Sequence, residues 1–363
     1  MAKNSNLGQA KAAKNDEFYT QYADIQKEVN AYIEYNPDVF RGKTILLPCD
    51  DPEWSNFTKF FAQNFEFFGL KKLISTSYAI ESKKYKTDWQ PTLFETENPL
   101  YSIEKSRIKG KIFTLDHDTN ANGRIDINDL QWNYLEGDGD FRSAEVTALR
   151  DEADIIITNP PFSLFKEFLA WIIEGKKQCL IIGNMNAITY KEVFPIIKDN
   201  KLWLGTTDVR WFYQESTNSP LYEAAHSRWF TNLEHGLRHK PLQLMTMQDN
   251  IRFNKAEYPQ YDNYDAIEVS KTMWIPSDYE EKMGVPISFL DKYCPEQFEI
   301  LGMCENEDLY RLKTKVYTTA ECKQAYLNKF GKPGTYDLNA SGVIIVEGIQ
   351  EKVYQRILIR KKQ

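Results

Sequence analysis

Short apolar runs alternate with amphipathic segments along residues 43–200 of the chain. Apolar runs predict strands at 43–51, 71–78, 110–116, 154–158 and 178–184. Helical periodicity marks residues 55–65, with Ser55 as a plausible N-cap, and residues 163–175. Continuous apolar strands separated by helices predict an α/β fold in which a parallel sheet carries helices on both faces.

The composition of the sequence changes beyond about Leu204, where Tyr, Trp, Pro and Asn become frequent. Short runs predict strands at 228–233, 266–276, 298–303, 342–348 and 354–362, the last of them an edge strand with a basic tail. We therefore expect mixed or antiparallel β structure with long loops. The expected organisation is a flexible basic arm over residues 1–15, an α/β domain over 16–205 and a β-rich region over 206–363.

Composition and charge restrict the classes of function. The 363 residues are 42% hydrophobic and 27% charged, as in an ordinary globular protein. The net charge of -7 excludes a global positive field, so any nucleic-acid binding must use local basic patches. Five cysteines form no C-x-x-C pair, and no run resembles a signal peptide or a membrane span. These features predict a cytoplasmic protein with reduced thiols and no membrane partner.

The strand predicted at 154–158 ends in the unusual corner Asn159-Pro160-Pro161-Phe162. In an open α/β sheet, ligands bind beyond the carboxyl ends of the strands. The two prolines stiffen a backbone that presents the Asn159 amide oxygen and the Pro160 carbonyl as acceptors, with the Phe162 ring beside them. Such a group suits the exocyclic amino group of a flat heterocycle. The alternative is a proline-terminated strand with a buried phenylalanine.

This corner, TNPPF, resembles the [D/N/S]-P-P-[Y/F/W] motif of S-adenosylmethionine-dependent amino-methyltransferases. With the segments DEFYTQY, CDDPEWSNF, GDGDFRS, NPPFSLFKEF, IIGNMNAITYKEVF and GVPISFLDKY, the chain resembles the EcoRI-type DNA adenine methyltransferases from about Asp16 to its end. The resemblance implies a Rossmann-like catalytic domain over 16–205 and a target-recognition region over 206–363. It also implies methyl transfer from S-adenosylmethionine to N6 of an adenine flipped out of duplex DNA.

The resemblance further implies roles for individual residues. In the corner, Asn159 and Pro160 accept hydrogen bonds from the target amino group, Pro161 stiffens the turn, and Phe162 stacks on the flipped base. The implied cofactor contacts are Asp16, Phe18, Tyr19 and Thr20 at the methionine end, Asp140 and Phe141 at the adenine, and Asn159. The loop after the first strand contributes the candidates Asp50, Asp51 and Pro52, without the glycine-rich F-x-G-x-G turn usual in these enzymes. Glu81 is the nearest acidic candidate for the ribose hydroxyls.

The segment DTNANGRIDIND fits the pattern of a calcium loop. The candidate ligands are Asp118, Asn120, Asn122, Arg124, Asp126 and Asp129. Asp stands at the last position instead of the usual Glu, which shortens the reach of that ligand. The alternative is a hydrophilic insert stabilised by Asx turns. A bound calcium ion would be structural, since methyl transfer needs none.

Candidate DNA contacts are Lys11 and Lys14 on the N-terminal arm, together with Arg228, Arg238 and Lys240 in a predicted loop. For that loop, zinc binding by His235 and His239 and a plain solvated loop are alternatives. We expect a monomer acting on double-stranded DNA, with a cognate restriction endonuclease encoded nearby as a companion. Rival functions keep the cofactor but act on RNA, cytosine N4 or a protein glutamine. A non-enzymatic rival is a DNA-binding module with a degenerate cofactor site.

Overall fold

The computed structural model describes residues 19–50, 55–79, 99–213 and 222–362. The chain divides into two compact units, Met1–Gly236 and Leu237–Gln363. This division falls later than the expected boundary at 205/206, because the two strands between residues 203 and 231 join the sheet of the first unit. The predicted arm at 1–15 lies outside the described residues.

The first unit contains a mixed sheet with nine strands among its described residues. In chain order they are β1 (Tyr19–Thr20), β2 (Thr44–Leu47), β3 (Lys72–Ser77), β4 (Lys111–Leu115), β5 (Gln131–Tyr134), β6 (Ile155–Thr158), β7 (Gln178–Asn184), β8 (Trp203–Tyr213) and β9 (Tyr222–Thr231). The order across the sheet is β1-β8-β9-β7-β6-β2-β3-β4-β5. The central strands β7, β6, β2 and β3 pair in parallel, and every flanking pair is antiparallel.

Helices and short 3-10 segments connect these strands. The helices are α1 (Tyr22–Tyr35), α2 (Asn56–Gln63), α3 (Phe65–Phe68), α4 (Ile103–Ile108), α5 (Ala144–Glu152), α6 (Phe165–Glu174) and α7 (Phe194–Lys198), and the 3-10 segments are Ile127–Asp129, Phe162–Leu164 and Met185–Thr189. The predicted cap of α2 is confirmed, since the Ser55 hydroxyl accepts a hydrogen bond from the Phe57 amide at 3.1 Å. The cap satisfies an amide that would otherwise be orphaned at the start of the helix.

The sheet is buried on both faces, as the continuous apolar runs predict. Every residue of β2 and of β6 is buried. Apolar side chains of α1 and α2 share one core cluster with residues of the sheet, and on α6 the Phe165 ring lies 5.0 Å from the Phe230 ring of β9. The predicted α/β fold, Rossmann-like with a β-rich region after it, is confirmed. The expectation of a wholly parallel sheet is wrong at β4, which runs antiparallel to β3.

A buried carboxylate ties α1 to β8. Glu28 is fully buried. It accepts hydrogen bonds from the Tyr32 hydroxyl at 2.8 Å, the Thr206 amide at 2.8 Å, the Thr206 hydroxyl at 2.9 Å and the Thr207 hydroxyl at 2.7 Å. These bonds provide partners for the backbone and hydroxyl groups of Thr206 and Thr207. Both residues lie in an irregular stretch of β8, where the register with β9 shifts between Leu204 and Asp208. A buried charge is tolerated when it is hydrogen-bonded in this way.

The second unit has a four-stranded sheet, in the order β10-β11-β15-β12, and a β13-β14 ladder among its described residues. Its elements are α8 (Met247–Asn254), β10 (Ile267–Glu268), β11 (Met283–Pro286), β12 (Phe298–Met303), α9 (Thr319–Phe330), β13 (Val343–Val346), β14 (Ile349–Lys352) and β15 (Arg356–Lys361), with 3-10 segments at Thr272–Trp274, Ile287–Lys292 and Leu338–Ala340. A further 3-10 segment, Gly236–His239, spans the division between the units.

The C-terminal strand does not lie at an edge, and that expectation is wrong. Strand β15 pairs antiparallel with β11 on one side and β12 on the other. Ile357, Leu358 and Ile359 are all buried, as an interior strand requires. Arg356 at its start is also buried, and its Nη2 lies 2.7 Å from Glu268 Oε1. The pairing of these two charges offsets part of the cost of burying either alone.

No disulfide joins any of the five cysteines, all of which lie among the described residues, and all but Cys49 are buried. Among the described residues, no helix is both long and apolar enough to cross a lipid bilayer.

Candidate functional site

The site lies at the carboxyl edge of the central parallel strands. The Thr158 hydroxyl, at the end of β6, donates a hydrogen bond to the Pro48 carbonyl after β2 at 2.7 Å. The loop after β2 is also fastened to β3, because the Ser75 hydroxyl donates to the Asp50 carbonyl at 2.5 Å. These two hydrogen bonds hold together the ends of β6, β2 and β3. In open α/β sheets, ligands bind at this edge.

Asp50 is a buried carboxylate at this edge. Its Oδ1 accepts a hydrogen bond from the Ser55 hydroxyl at 2.7 Å, and Ser55 caps α2. The loop after β2 therefore begins with an acidic group directed at the start of a helix, where a phosphate-binding loop would carry glycines. The other two residues predicted for this loop, Asp51 and Pro52, lie outside the described residues.

The Asn-Pro-Pro-Phe corner has the extended geometry expected from its prolines. Asn159 is half-buried, and both prolines are buried. Pro161 has φ -53 and ψ 124, after which a 3-10 turn begins at Phe162 and leads into α6. The half-buried Phe162 ring meets the Phe212 ring of β8 edge-on, with 6.2 Å between centroids. The simple alternative of a fully buried phenylalanine therefore does not describe this residue.

The end of the predicted N-terminal motif reaches the same edge. Thr20 pairs with Phe212 of β8, and its carbonyl accepts a hydrogen bond from Asn56 Nδ2 at 2.8 Å. Thr20 is 2% exposed, and its hydroxyl has no hydrogen-bond partner among the described residues. Tyr19 pairs with Tyr213 in the same short ladder. The remaining motif residues, Asp16 and Phe18, lie outside the described residues, as does Glu81.

A tight glycine turn brings Asp140 to the end of β3. Gly139 has φ +86, and a Cβ atom there would lie 2.3 Å from the Ser77 carbonyl oxygen. The amide of Ala79 donates to the Asp138 carbonyl at 2.8 Å, which continues the contact. Only glycine fits a positive φ at this close backbone approach. The turn therefore presses the residues before α5 against the loop after β3.

Asp140 is held by Arg142. Its Oδ1 accepts from the Arg142 amide at 2.8 Å and from Nε at 2.9 Å, and its Oδ2 accepts from Nη2 at 2.5 Å. The hydrogen bonds from the Arg142 side chain keep the pKa of Asp140 below its usual value. Since a carboxylate oxygen has two lone pairs, Oδ2 can still accept one more donor.

Phe141 and Tyr78 complete this side of the edge. Phe141 is fully buried, with its ring 5.0 Å from the Phe168 ring and 5.6 Å from the Trp171 ring of α6. Burial raises the pKa of Tyr78, and the neighbouring Cys49 and Asp140 raise it further. The Phe141 ring thus packs against α6, and its implied contact with the cofactor base stays a prediction.

The donor and acceptor set fits S-adenosylmethionine. Asp50 and Asp140 are acceptors suited to hydroxyl and amino groups, and the buried Thr20 hydroxyl can donate to a carboxylate. These residues come from three separate parts of the chain and are joined to the strand ends by the hydrogen bonds described above.

The predicted calcium loop is described throughout, and its side chains bond to its own backbone. Asp129 accepts from the amides of Thr119 at 2.8 Å, Asn120 at 3.2 Å and Asp126 at 3.0 Å. Asp118 accepts from the Gly123 amide at 2.7 Å. Backbone hydrogen bonds, that of Asp126 first, lower the pKa of Asp129. The remaining candidate ligands, Asn122 and Arg124, are joined by a hydrogen bond from the Arg124 amide to Asn122 Oδ1 at 2.8 Å.

These bonds are Asx turns, the alternative that the sequence left open. No cluster of three or more His, Cys, Asp or Glu side chains suited to a metal ion occurs among the described residues. Calcium binding by this loop stays a prediction.

The predicted DNA contacts are not brought together on one loop, and that placement is wrong. Arg228 lies in β9, where it is largely buried and forms an ion pair with Asp208 of β8. Arg238 is 4% exposed within a 3-10 segment, whereas Lys240 is exposed. Both arginines are thus largely buried, and their contact with DNA phosphates stays a prediction. The predicted contacts Lys11 and Lys14 lie outside the described residues.

Two residues that build the site carried no recognised signal in the sequence. Asn56 and Ser75 act through contacts with distant segments, so no local pattern singles them out. Gly139 had a signal in the GDGD stretch, since a glycine between two aspartates indicates a turn.

Comparison with known proteins identifies close relatives. The profile of the family described as "Adenine-specific methyltransferase EcoRI" matches residues 6–362. The Type II methyltransferase M.EcoRI of Escherichia coli is 40% identical over 326 residues, which cover 85% of this chain and 91% of the relative. M.MpnI of Mycoplasma pneumoniae is 35% identical, covering 86% and 90%. M.MgeORF184P of Mycoplasma genitalium is 33% identical, covering 98% and 99%. No solved structure matches the chain.

Proposed function

The chain belongs to the EcoRI-type adenine-specific methyltransferases, and we propose that the carboxyl edge of its first sheet is the methyl-transfer site. The protein is a DNA adenine methyltransferase that uses S-adenosylmethionine, as membership of this family implies. The observation that carries the site is the corner at Asn159–Phe162, which joins the end of β6 to α6 beside the Thr20 strand.

The chemistry required of the corner is modest. The amino nitrogen of adenine is a poor nucleophile, because its lone pair is delocalised into the ring. Asn159 Oδ1 and the Pro160 carbonyl accept the two amino protons and favour a localised lone pair aimed at the methyl donor. Phe162 stacks on the extruded base and is braced by Phe212. Bound S-adenosylmethionine supplies an activated sulfonium methyl group, so alignment is the main task of the protein.

The cofactor is held by residues from three segments in this proposal. Thr20 binds the carboxylate of its methionine part, Asp50 lies by the ribose, and Asp140 accepts the adenine amino group. The burial of Thr20 and Asp50 and the fixed Asp140–Arg142 pair support these roles. Hydrogen bonds already orient Asp50 and Asp140, which reduces the entropy lost on binding.

We further propose that the unit Leu237–Gln363 recognises the DNA target. Its support is an exposed surface where cations cover aromatic rings: Arg252 lies 5.0 Å from the Phe253 ring, and Lys271 lies 4.2 Å from the Trp274 ring. Phe253 is 63% exposed. Cationic and aromatic side chains together suit phosphate and base contacts. The monomeric state and the companion endonuclease remain predictions.

The test is radiolabelled methyl transfer to duplex DNA, RNA and protein, with Asn159→Ala beside the wild-type enzyme. We expect transfer to adenine N6 of duplex DNA. Asn159→Ala is expected to lose far more methyl transfer than S-adenosylmethionine affinity, because the missing acceptor acts mainly on the target amino group. Turnover by Asn159→Ala within a few-fold of wild type would contradict the site. Transfer to RNA, to cytosine or to a protein glutamine would identify a rival acceptor.

A further inference from the structure

Strand β8 presents an exposed tryptophan beside the methyl-transfer site. Trp211 is 42% exposed, whereas its neighbour Phe212 is fully buried. A single exposed aromatic residue is not unusual by itself. The position of Trp211 in the sheet and the way its backbone is fixed distinguish it from the other exposed rings.

The strand register places Trp211 beyond the edge at which the corner lies. Asn184, the last residue of β7, and Val209 of β8 both pair with Ser227 of β9. Trp211 is two residues further along β8, past the carboxyl end of β7. Strand β6 ends at Thr158 beside β7, so the catalytic corner leaves the sheet at this same edge. A duplex that delivers a base to the corner must pass close to this edge.

Neighbours of the site hold the Trp211 backbone. Gln21 Nε2 donates a hydrogen bond to the Trp211 carbonyl at 3.1 Å. The next residue, Phe212, pairs with Thr20 and meets the Phe162 ring. Successive residues of a strand point to opposite faces, so the Trp211 ring is directed away from the Phe162–Phe212 contact. Its position is therefore coupled to the corner, but its ring stays accessible.

The residue before Trp211 in the chain, Arg210, is an exposed cation. The Arg210 side chain is 72% exposed, and its Nη2 lies 3.7 Å from Asp208 Oδ2. The other oxygen of Asp208 is engaged by Arg228. An exposed pair at this distance is weak, so Arg210 can exchange Asp208 for a phosphate at little cost.

We propose that Trp211 enters the duplex and stacks in the space that the extruded adenine leaves, while Arg210 contacts the adjacent phosphate. The inference rests on the proposed function, since it assumes that adenine is extruded toward Phe162. Extrusion costs stacking and pairing free energy, and an inserted side chain recovers part of the stacking. The tryptophan thus favours the flipped state without contacting the reacting atoms, as a positioning residue.

The experiment compares kcat/KM for Trp211→Ala on two duplexes that carry the site the wild-type enzyme methylates. One is fully paired, and the other has an abasic site opposite the target adenine, which lowers the cost of extrusion. We expect Trp211→Ala to lose about 10- to 100-fold on the paired duplex, the range for one lost stacking contact. We expect the loss to be mostly absent on the abasic duplex. With 2-aminopurine at the target position, its fluorescence increase on binding should also fall.

Three further variants keep the test decisive. Trp211→Phe retains a ring and should recover most of the rate, whereas Trp211→Leu retains only apolar volume and should not. Phe67→Ala is the matched control, because Phe67 is 73% exposed on α3, which leads into the opposite end of β3. Arg210→Gln should lower the salt dependence of DNA binding. It should not change the ratio of kcat/KM between the paired and the abasic duplex.

Equal losses on both duplexes, or a Trp211→Leu variant as active as wild type, would overturn the proposal. Failure of the methyl-transfer site itself is recognised separately, because Asn159→Ala would then remain active. Cofactor affinity and thermal unfolding of each Trp211 variant are measured first, and wild-type values for both exclude a folding defect. If Trp211→Ala does not fold, the Phe and Leu variants decide the question.

Discussion

The sharpest prediction concerns Gly139, which sets the position of Asp140. A Cβ atom at Gly139 would lie 2.3 Å from the Ser77 carbonyl oxygen and 3.3 Å from the Tyr78 Cα atom. The backbone φ of +86 is also unfavourable for alanine, by about 1–2 kcal/mol. Relief of the overlap requires the turn to move away from β3 by roughly 1 Å, and overpacking of this kind costs about 1–3 kcal/mol. Gly139→Ala should therefore lower the free energy of unfolding by about 2–5 kcal/mol.

The functional consequence of Gly139→Ala is weaker cofactor binding. Asp140 follows Gly139 directly, so movement of the turn displaces its carboxylate from the adenine amino group. Asp140→Ala sets the scale, because loss of one acceptor for a buried donor costs about 1–3 kcal/mol. Calorimetric titration with S-adenosylmethionine should show a loss of similar size for Gly139→Ala.

Gly137 offers a matched control in the same turn. A Cβ atom at Gly137 would meet only Glu145 Oε2, at 3.8 Å, which is ordinary contact. Gly137→Ala should bind the cofactor and unfold as the wild type does. If Gly139→Ala also binds the cofactor with wild-type affinity, the turn does not present Asp140 to the cofactor, and the assignment of this pocket is refuted.

The remaining predictions concern charge. Arg142 lowers the pKa of Asp140, so the stabilisation is present above the unfolded value of about 3.9 and is lost as pH falls through the folded value. The free energy of unfolding of the wild type should fall as the pH is lowered from about 7 to about 3, and Arg142→Ala should make that fall smaller. Equal pH dependence of the two proteins would contradict this. If the 118–129 loop binds calcium, added calcium should raise the melting temperature and Asp118→Ala should abolish the rise. A melting temperature that changes with neither calcium nor a chelator would show that Asx turns alone stabilise the loop. Deletion of residues 1–14 should weaken DNA binding and lower its salt slope without changing the preferred site; an unchanged slope would exclude contacts from the arm.

Local patterns predict the parts of this protein that depend on near neighbours in the chain. The runs that become β2, β6 and β7 are buried on both faces, and an unbroken apolar run indicates this without knowledge of the partner strand. The cap at Ser55 and the corner at Asn159–Phe162 are also local, because a hydroxyl before a helix and two consecutive prolines act on adjacent backbone.

Tertiary structure decides which strands pair and which polar side chains are hidden. The direction of β4, the interior position of β15 and the Arg228–Asp208 pair all depend on contacts between distant segments. A basic residue has the same local pattern whether it faces solvent or a partner carboxylate, so Arg228 and Arg238 read as surface cations. The run 357–359 did carry an interior signal, since all three residues are apolar, but the basic residues after it favoured an edge. Composition fixes how much side-chain surface can be buried, whereas the mutual packing of the elements selects the residues that bury it.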